Sequence, residues 1–306
     1  MKKLLLITVI IALLLPVALF ASGQGEAAED EGIVIGMSVP GLQFPFFVTM
    51  RDQAEAKAEE LGVTLLFADA QNDAAKQTSD IEGFISRGVD GILISPMTVD
   101  SQVPVMERAV EAGIAVASVD RKANTDEILV HVGADNVEGG RAAARFIIDA
   151  LDGSGRVIEL EGTPGSSAAI DRKSGFDEVM ADSDVEIIVS QPADFNRAQA
   201  QTVMENLITS NPDFDAVFGA NDEMIIGAIE AMRGSGVDAA AKVTVGFDAT
   251  PDAFSYIEEG LLDATVDQFP GQQAGMALEF LVDNIENGTE PEQDVYFIEP
   301  KPVTSQ

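Results

Sequence analysis

The sequence predicts an α/β fold, with two doubly wound parallel-sheet lobes joined by a multi-strand hinge. Short apolar runs alternate with amphipathic stretches of helical period, the pattern of right-handed βαβ crossovers onto a parallel sheet. The alternation occurs twice, with like elements about 125 residues apart, which indicates a duplicated domain and is too long for a solenoid repeat. Two of the apolar runs also stop at a carboxylate: 116–121 reads Val-Ala-Ser-Val-Asp-Arg and 243–248 reads Val-Thr-Val-Gly-Phe-Asp. Ligands of open α/β sheets sit just beyond the carboxyl ends of strands, which makes Asp120, Arg121 and Asp248 candidate binding residues.

In chain order, the first half reads as a strand at 33–37, a helix at 46–61 stopped by Gly62, and a strand at 63–67. A helix at 74–87 closed by Gly88 follows, then a strand at 91–95, a helix at 103–112 ended by Gly113, and strands at 116–119 and 129–132. The second half gives strands at 157–160, 185–189, 216–219 and 243–247, separated by helices at 171–181, 196–209 and 223–233. A strand at 264–266, a helix at 271–285 and a strand at 295–298 remain. They are too few for a third domain, so they are expected to cross back and complete both sheets. The division expected is an N-terminal lobe of 33–134 plus 269–296 and a C-terminal lobe of 135–268 plus 297–306. The polar residues at the strand ends then face a cleft between the lobes: Asp120, Arg121, Asn221, Asp222, Asp248 and Gln268. A carboxylate accepting two bonds beside a forked guanidinium suits a polyhydroxylated ligand. A strand-end salt bridge with no ligand is the alternative for Asp120 and Arg121 taken alone.

Met1-Lys2-Lys3, an apolar run to Phe20 and the small residues Ala21-Ser22-Gly23 have the layout of a secretory signal peptide, 1–23, before a polar linker, 24–32. An uncleaved anchor is the rival, because the run is close to the lower limit for spanning; Pro16 and the small-residue site favour cleavage. The chain has no cysteine, which excludes disulfides and lipid attachment at the processing site. Acidic residues outnumber basic ones 52 to 18, and loss of Lys2 and Lys3 takes the charge from −34 to −36. Such a surface repels nucleic acid and anionic lipid.

Neither Gly-x-Gly-x-x-Gly after a strand nor a P-loop motif occurs, so no nucleotide cofactor is expected. There is no thiol, and His131, the one histidine, lies inside an apolar run and reads as a packed core residue. No catalytic or metal-binding constellation is present, and an enzyme is the least favoured class.

Five segments, in order along the whole mature chain, resemble the ribose-binding branch of the periplasmic sugar-binding proteins: Pro45-Phe-Phe, Val119-Asp-Arg, Gln191-Pro-Ala-Asp-Phe, Asn221-Asp-Glu-Met and Gly246-Phe-Asp. The resemblance implies the type I periplasmic binding protein fold, two lobes closing on one sugar. It implies that Phe46, Phe47 and Phe195 pack on the ring, whose C–H faces suit aromatic faces. It implies that Asp120, Arg121, Arg172, Asn221, Asp248 and Gln268 bind hydroxyls. Two positions depart: Phe44 and Ser95 stand where the family's ribose binders carry asparagine. Phe44 belongs to the candidate site but neither donates nor accepts a hydrogen bond.

The function expected is that of a monomeric periplasmic solute-binding protein that takes a monosaccharide, a ribose-like pentose or a related sugar, to the permease of an ABC importer. A sensor feeding a chemoreceptor or kinase is the second reading. A sugar-responsive repressor would need a basic helix-turn-helix before Ile33, where the signal peptide stands. Mass spectrometry of the exported protein is expected to find cleavage between Ala21 and Gln24; intact 1–20 on most molecules would replace the signal peptide with an anchor.

Overall fold

The computed structural model describes residues 32–210 and 213–305, so the expected signal peptide and nearly all of the linker lie outside the described residues. The order is β1 (Val34–Val39), α1 (Pro45–Leu61), β2 (Thr64–Asp69), α2 (Ala74–Arg87), β3 (Gly91–Ile94), α3 (Val103–Glu111), β4 (Ala115–Val119) and β5 (Val130–Ala134). It continues with α4 (Asn136–Ala150), β6 (Ser154–Glu161), α5 (Ser167–Ala181), β7 (Asp184–Pro192), α6 (Arg197–Ser210), β8 (Ala216–Gly219) and α7 (Asp222–Gly234). Last come β9 (Val243–Val245), α8 (Pro251–Glu258), β10 (Ala264–Asp267), α9 (Pro270–Asn287), β11 (Val295–Ile298) and β12 (Lys301–Thr304).

Two six-stranded sheets result, ordered β11-β5-β4-β3-β1-β2 and β12-β10-β9-β8-β6-β7. Every pairing is parallel except β10 with β12. Parallel strands are covered on both faces, which is why β3 and β8 are buried along their whole length. The first helices end where the sequence predicts. Gly62 and Gly88 take φ of 71° and 68°, a left-handed conformation that costs glycine no Cβ clash. Asp73 caps α2 by accepting from the amides of Ala75 and Lys76.

The chain passes between the sheets three times. After β5 it enters α4, which packs on β9, β10 and β12; after β10 it enters α9, which packs on α1, β3, β4 and β5. The third crossing follows Ile298, because all of β11 pairs with His131–Ala134; the expected boundary at 296 falls inside that strand and is corrected to 298.

Besides the single 3-10 turn Ala239–Ala241, the sequence reading misses three elements, each for a physical reason. The adjacent Gly139 and Gly140 lower the helix propensity of α4. The helix α8 has only 8 residues. β12 is an exposed edge strand containing Pro302, with no apolar run to announce it. The glycines of α4 are used in packing. A Cβ on Gly140 would lie 2.0 Å from the carbonyl oxygen of Arg172, and one on Gly175 would lie 1.9 Å from that of Val137. The two backbones therefore touch at the turn that carries Arg172.

Gly175→Ala must push α5 away from α4. We expect a loss of about 1–3 kcal/mol by denaturant unfolding, together with weaker ligand binding, since Arg172 moves with the helix. Unchanged stability would mean that the crossing relaxes freely.

Candidate sugar-binding site

Each half of the site begins where a strand ends in a strained turn. After β4, Asp120 adopts φ of 61° while its amide bonds the Val132 carbonyl at 2.9 Å, so the chain leaves the sheet and aims Asp120 and Arg121 into the cleft. After β9, Asp248 sits at φ of 114° and Ala249 at 52°. Phe195, between β7 and α6, has φ of 56°. A left-handed conformation is uncommon for a non-glycine residue and an outlier for a bulky one, and such strain gathers at functional sites. Gly162 makes room for Phe195: a Cβ there would come within 2.1 Å of the ring.

Ten of the candidate residues line one pocket: Phe44, Phe46, Phe47, Asp120, Arg121, Arg172, Phe195, Asn221, Asp248 and Gln268. Ala168, at the start of α5, completes the lining; an alanine gives no chemical signal in a sequence. Asp222 is a correction. It was expected to face the cleft, but it is fully buried outside the lining, with its carboxylate turned onto Thr250 and Thr265. Ser95 likewise stays out of the lining and donates its hydroxyl to Asp120 Oδ2 at 2.9 Å.

The charged groups are buried and partly satisfied. Arg121 Nη1 donates to the Met97 carbonyl at 3.1 Å, and its Nε lies 3.8 Å from Asp120. Arg172 donates from Nε to Asn136 Oδ1 at 2.8 Å and from Nη1 to the Ala220 carbonyl at 2.7 Å, with Asp248 3.7 Å away. Gln268 Nε2 donates to Asp248 Oδ1 at 2.6 Å, which leaves buried Gln268 Oε1 without a protein donor. Asn221 spends its carbonyl oxygen on the α7 cap, accepting from the Met224 amide at 3.0 Å; its amide nitrogen is 3.4 Å from the Phe195 carbonyl. These are fixed forks and carboxylates with bonding capacity left over, as recognition of hydroxyls requires.

The aromatic residues wall the cavity. Arg121 lies 5.5 Å from the ring centres of both Phe47 and Phe195, and Arg172 stacks on Phe247 at 3.7 Å. Phe46 and Phe44 each meet Phe47 edge-on, at 5.1 and 6.2 Å.

Burial is the dominant electrostatic effect. It raises the carboxyl of Asp120 above its ordinary value against the opposing pull of Arg121, Arg172 and Ser95, and it raises Asp248 further. It lowers Arg121 to about 10, and lowers Arg172 as well. Two carboxylates balance two guanidiniums, so the arrangement favours an uncharged, hydrogen-bonding ligand.

Two buried glutamines brace the first half and carried no signal in the sequence. Gln77 donates to the Ser95 carbonyl at 2.8 Å, while Gln77 Oε1 and Gln102 Oε1 both accept from the Met97 amide at 3.0 Å. They hold the segment whose hydroxyl and carbonyl position Asp120 and Arg121. Opposite the hinge the halves touch directly: the Val99 amide bonds the Gly165 carbonyl at 3.0 Å, and the Lys122 amide bonds Ser167 Oγ at 2.8 Å. Among the described residues no cluster of His, Asp or Glu is arranged to hold a metal ion. His131 packs in the core against Ser118 Oγ at 2.8 Å and beside Phe297, and burial lowers it to about 3.

A periplasmic binding protein domain is recognised over residues 35–290. The chain belongs to the periplasmic binding protein family. This periplasmic binding protein is similar to the ribose import binding protein RbsB of Bacillus subtilis, 40% identical over 274 residues that cover 90% of this chain and 87% of the relative. Its fold matches the myo-inositol binding protein of Caulobacter, bound to myo-inositol, with a TM-score of 0.84 and 36% identity, covering 89% and 93% of the two chains. It also matches the fructose-binding periplasmic domain of a hybrid two-component system, with a TM-score of 0.83 and 28% identity over 89% and 91%.

Asp248 titrates higher in the folded chain than in the unfolded one. Its contribution to stability is therefore full below the ordinary carboxylate value and is lost as pH rises through the raised one. Asp248→Asn is expected to melt above wild type at neutral pH in the absence of sugar, with the gap closing as pH falls toward about 4. A pH-independent gap in the melting temperatures would contradict this.

Proposed function

We propose that this protein captures one neutral monosaccharide in the cavity and presents it to the permease of an ABC importer. The observation that carries the reading is the pairing of two buried carboxylates with two buried guanidiniums between phenylalanines from both halves. The sheets with their helices act as two lobes, 33–134 with 269–298 and 135–268 with 299–306. Sugar bridging Asp120 and Arg121 to Arg172, Asn221, Asp248 and Gln268 stabilises the closed form, which the permease recognises; hinge closure of this kind is general for such proteins. The protein acts as a monomer in the periplasm after removal of 1–23. It performs no chemistry on the sugar.

A thermal-shift screen of the exported protein against pentoses, hexoses, deoxysugars and polyols tests the reading, because a ligand of the folded state raises the midpoint by mass action. Asp248→Ala and Arg172→Ala are each expected to weaken the best ligand by about 2–4 kcal/mol in calorimetry, since buried partners lose their bonds. Wild-type affinity in both variants would remove these residues from the site.

The corner at Phe44 selects the sugar. Gln43 is exposed and folds back over Gly41, where a Cβ would meet its Oε1 at 2.1 Å, so it does not supply the missing polar group. A sugar with a hydroxyl at that corner loses about 1–3 kcal/mol. We expect a deoxysugar, an epimer or a ring of another shape to bind more tightly than D-ribose, and Phe44→Asn to improve D-ribose binding. Tightest binding of D-ribose, unchanged by Phe44→Asn, would overturn this selectivity.

A second reading, sensing through a chemoreceptor or kinase, is favoured by the likeness to the periplasmic domain of a two-component system. Loss of sugar uptake on deletion supports transport, and loss of a sugar-dependent response with uptake intact supports sensing.

A further inference from the structure

We propose that Asp222 is the positioning residue of the second half of the site. It touches no ligand and works as a clamp that holds the turn 247–250 in its strained form and so aims Asp248. The inference rests on the assignment of Asp248 to the ligand.

Two consecutive residues of this turn, Asp248 and Ala249, have positive φ. Neither is glycine, so the conformation needs external support. That support converges on one carboxylate. Asp222 Oδ2 accepts from the Thr250 amide at 2.8 Å and from Thr250 Oγ1 at 3.0 Å. Asp222 Oδ1 accepts from Thr265 Oγ1 at 2.6 Å, and that hydroxyl in turn accepts from the Ala249 amide at 3.1 Å. The Asp222 amide closes the ring by bonding the Phe247 carbonyl at 2.7 Å. The Asp248 amide keeps its sheet bond to the Val266 carbonyl at 2.8 Å, but the Phe247 carbonyl, the Ala249 amide and both donors of Thr250 are all held through Asp222, directly or through Thr265.

Room for the carboxylate is made on purpose-built backbone: a Cβ on Gly246 would lie 2.4 Å from Asp222 Oδ1. The side chain is fully buried, makes no ion pair among the described residues, and burial raises its carboxyl to about 7. Burying such a group opposes folding unless it acquires bonds in return. Here the bonds acquired belong to the binding turn.

Asp222→Asn keeps the shape of the side chain but turns an amide donor, or a weaker acceptor, toward the Thr250 amide. In full-length protein without sugar, hydrogen exchange at the amides of 248–250 is expected to speed up at least tenfold, with the sheets unchanged. Calorimetry with D-ribose and myo-inositol is expected to show at least tenfold weaker binding. In an Asp248→Asn background the same substitution is expected to add nothing further, because the group it aims is already gone. Thr265→Val is expected to reproduce the loss and Thr265→Ser to retain wild-type affinity. A purely structural role would add its full effect in the Asp248→Asn background. Unchanged exchange at 248–250, or full additivity, overturns the proposal. Failure of wild type to bind either sugar strikes at the ligand assignment instead, while the exchange experiment still decides the clamp.

Discussion

Four charged side chains, Asp120, Arg121, Arg172 and Asp248, are buried together between two sheets, and the rest of the molecule is arranged to make that tolerable. Desolvation disfavours each charge, and it outweighs the nearby opposite charges at both carboxylates. A buried ion pair of this type is weak evidence for stability, because hydrophobic replacements often do as well. Its retention makes sense as a site that exchanges incomplete internal bonds for bonds to a ligand. The separations of 3.8 Å for Arg121–Asp120 and 3.7 Å for Arg172–Asp248 fit that view: each pair is close enough to balance charge and too far apart for a good hydrogen bond.

Position is supplied by the layer behind the charges. On the first side, Gln77 and Gln102 fix the segment that contacts Asp120 and Arg121. On the second, Asn136 and the Ala220 carbonyl grip Arg172, and the crossing of α4 on α5 at Gly140 and Gly175 fixes where that guanidinium starts. The solutions differ in chemistry because the two strand ends differ: one turn is braced by neutral amides, the other by a carboxylate and two threonines. Both hold a left-handed aspartate.

Closure follows from the same geometry. The aromatic walls belong to different halves, with Phe47 on α1 and Phe195 before α6, and Arg121 lies equidistant from both rings. The rim contacts of Val99 with Gly165 and Lys122 with Ser167 join backbone or hydroxyl groups, so they close the cleft without reading the ligand's chemistry.

The sequence by itself determined the class of fold and most of its elements. Parallel strands buried on both faces must be continuous apolar runs, and helices that end in left-handed glycine announce their ends, as at Gly62 and Gly88. The strand-end residues Asp120, Arg121 and Asp248 were legible because carboxyl ends of strands are where such folds gather polar groups. Phe46, Phe47, Phe195 and Arg172 needed the family resemblance, since nothing in a local pattern tells a cavity-lining phenylalanine from a core one. Only the tertiary structure decided the rest. It showed that Asp222 turns away from the cleft, that Asn221 gives its oxygen to a helix cap, that Ser95 serves Asp120, and that α4 is a helix despite its glycines. The Asn221 cap is local, made with an amide three residues on, but the others depend on a partner 25 or more residues away or on how closely two backbones approach, and neither quantity is written in a local stretch of sequence.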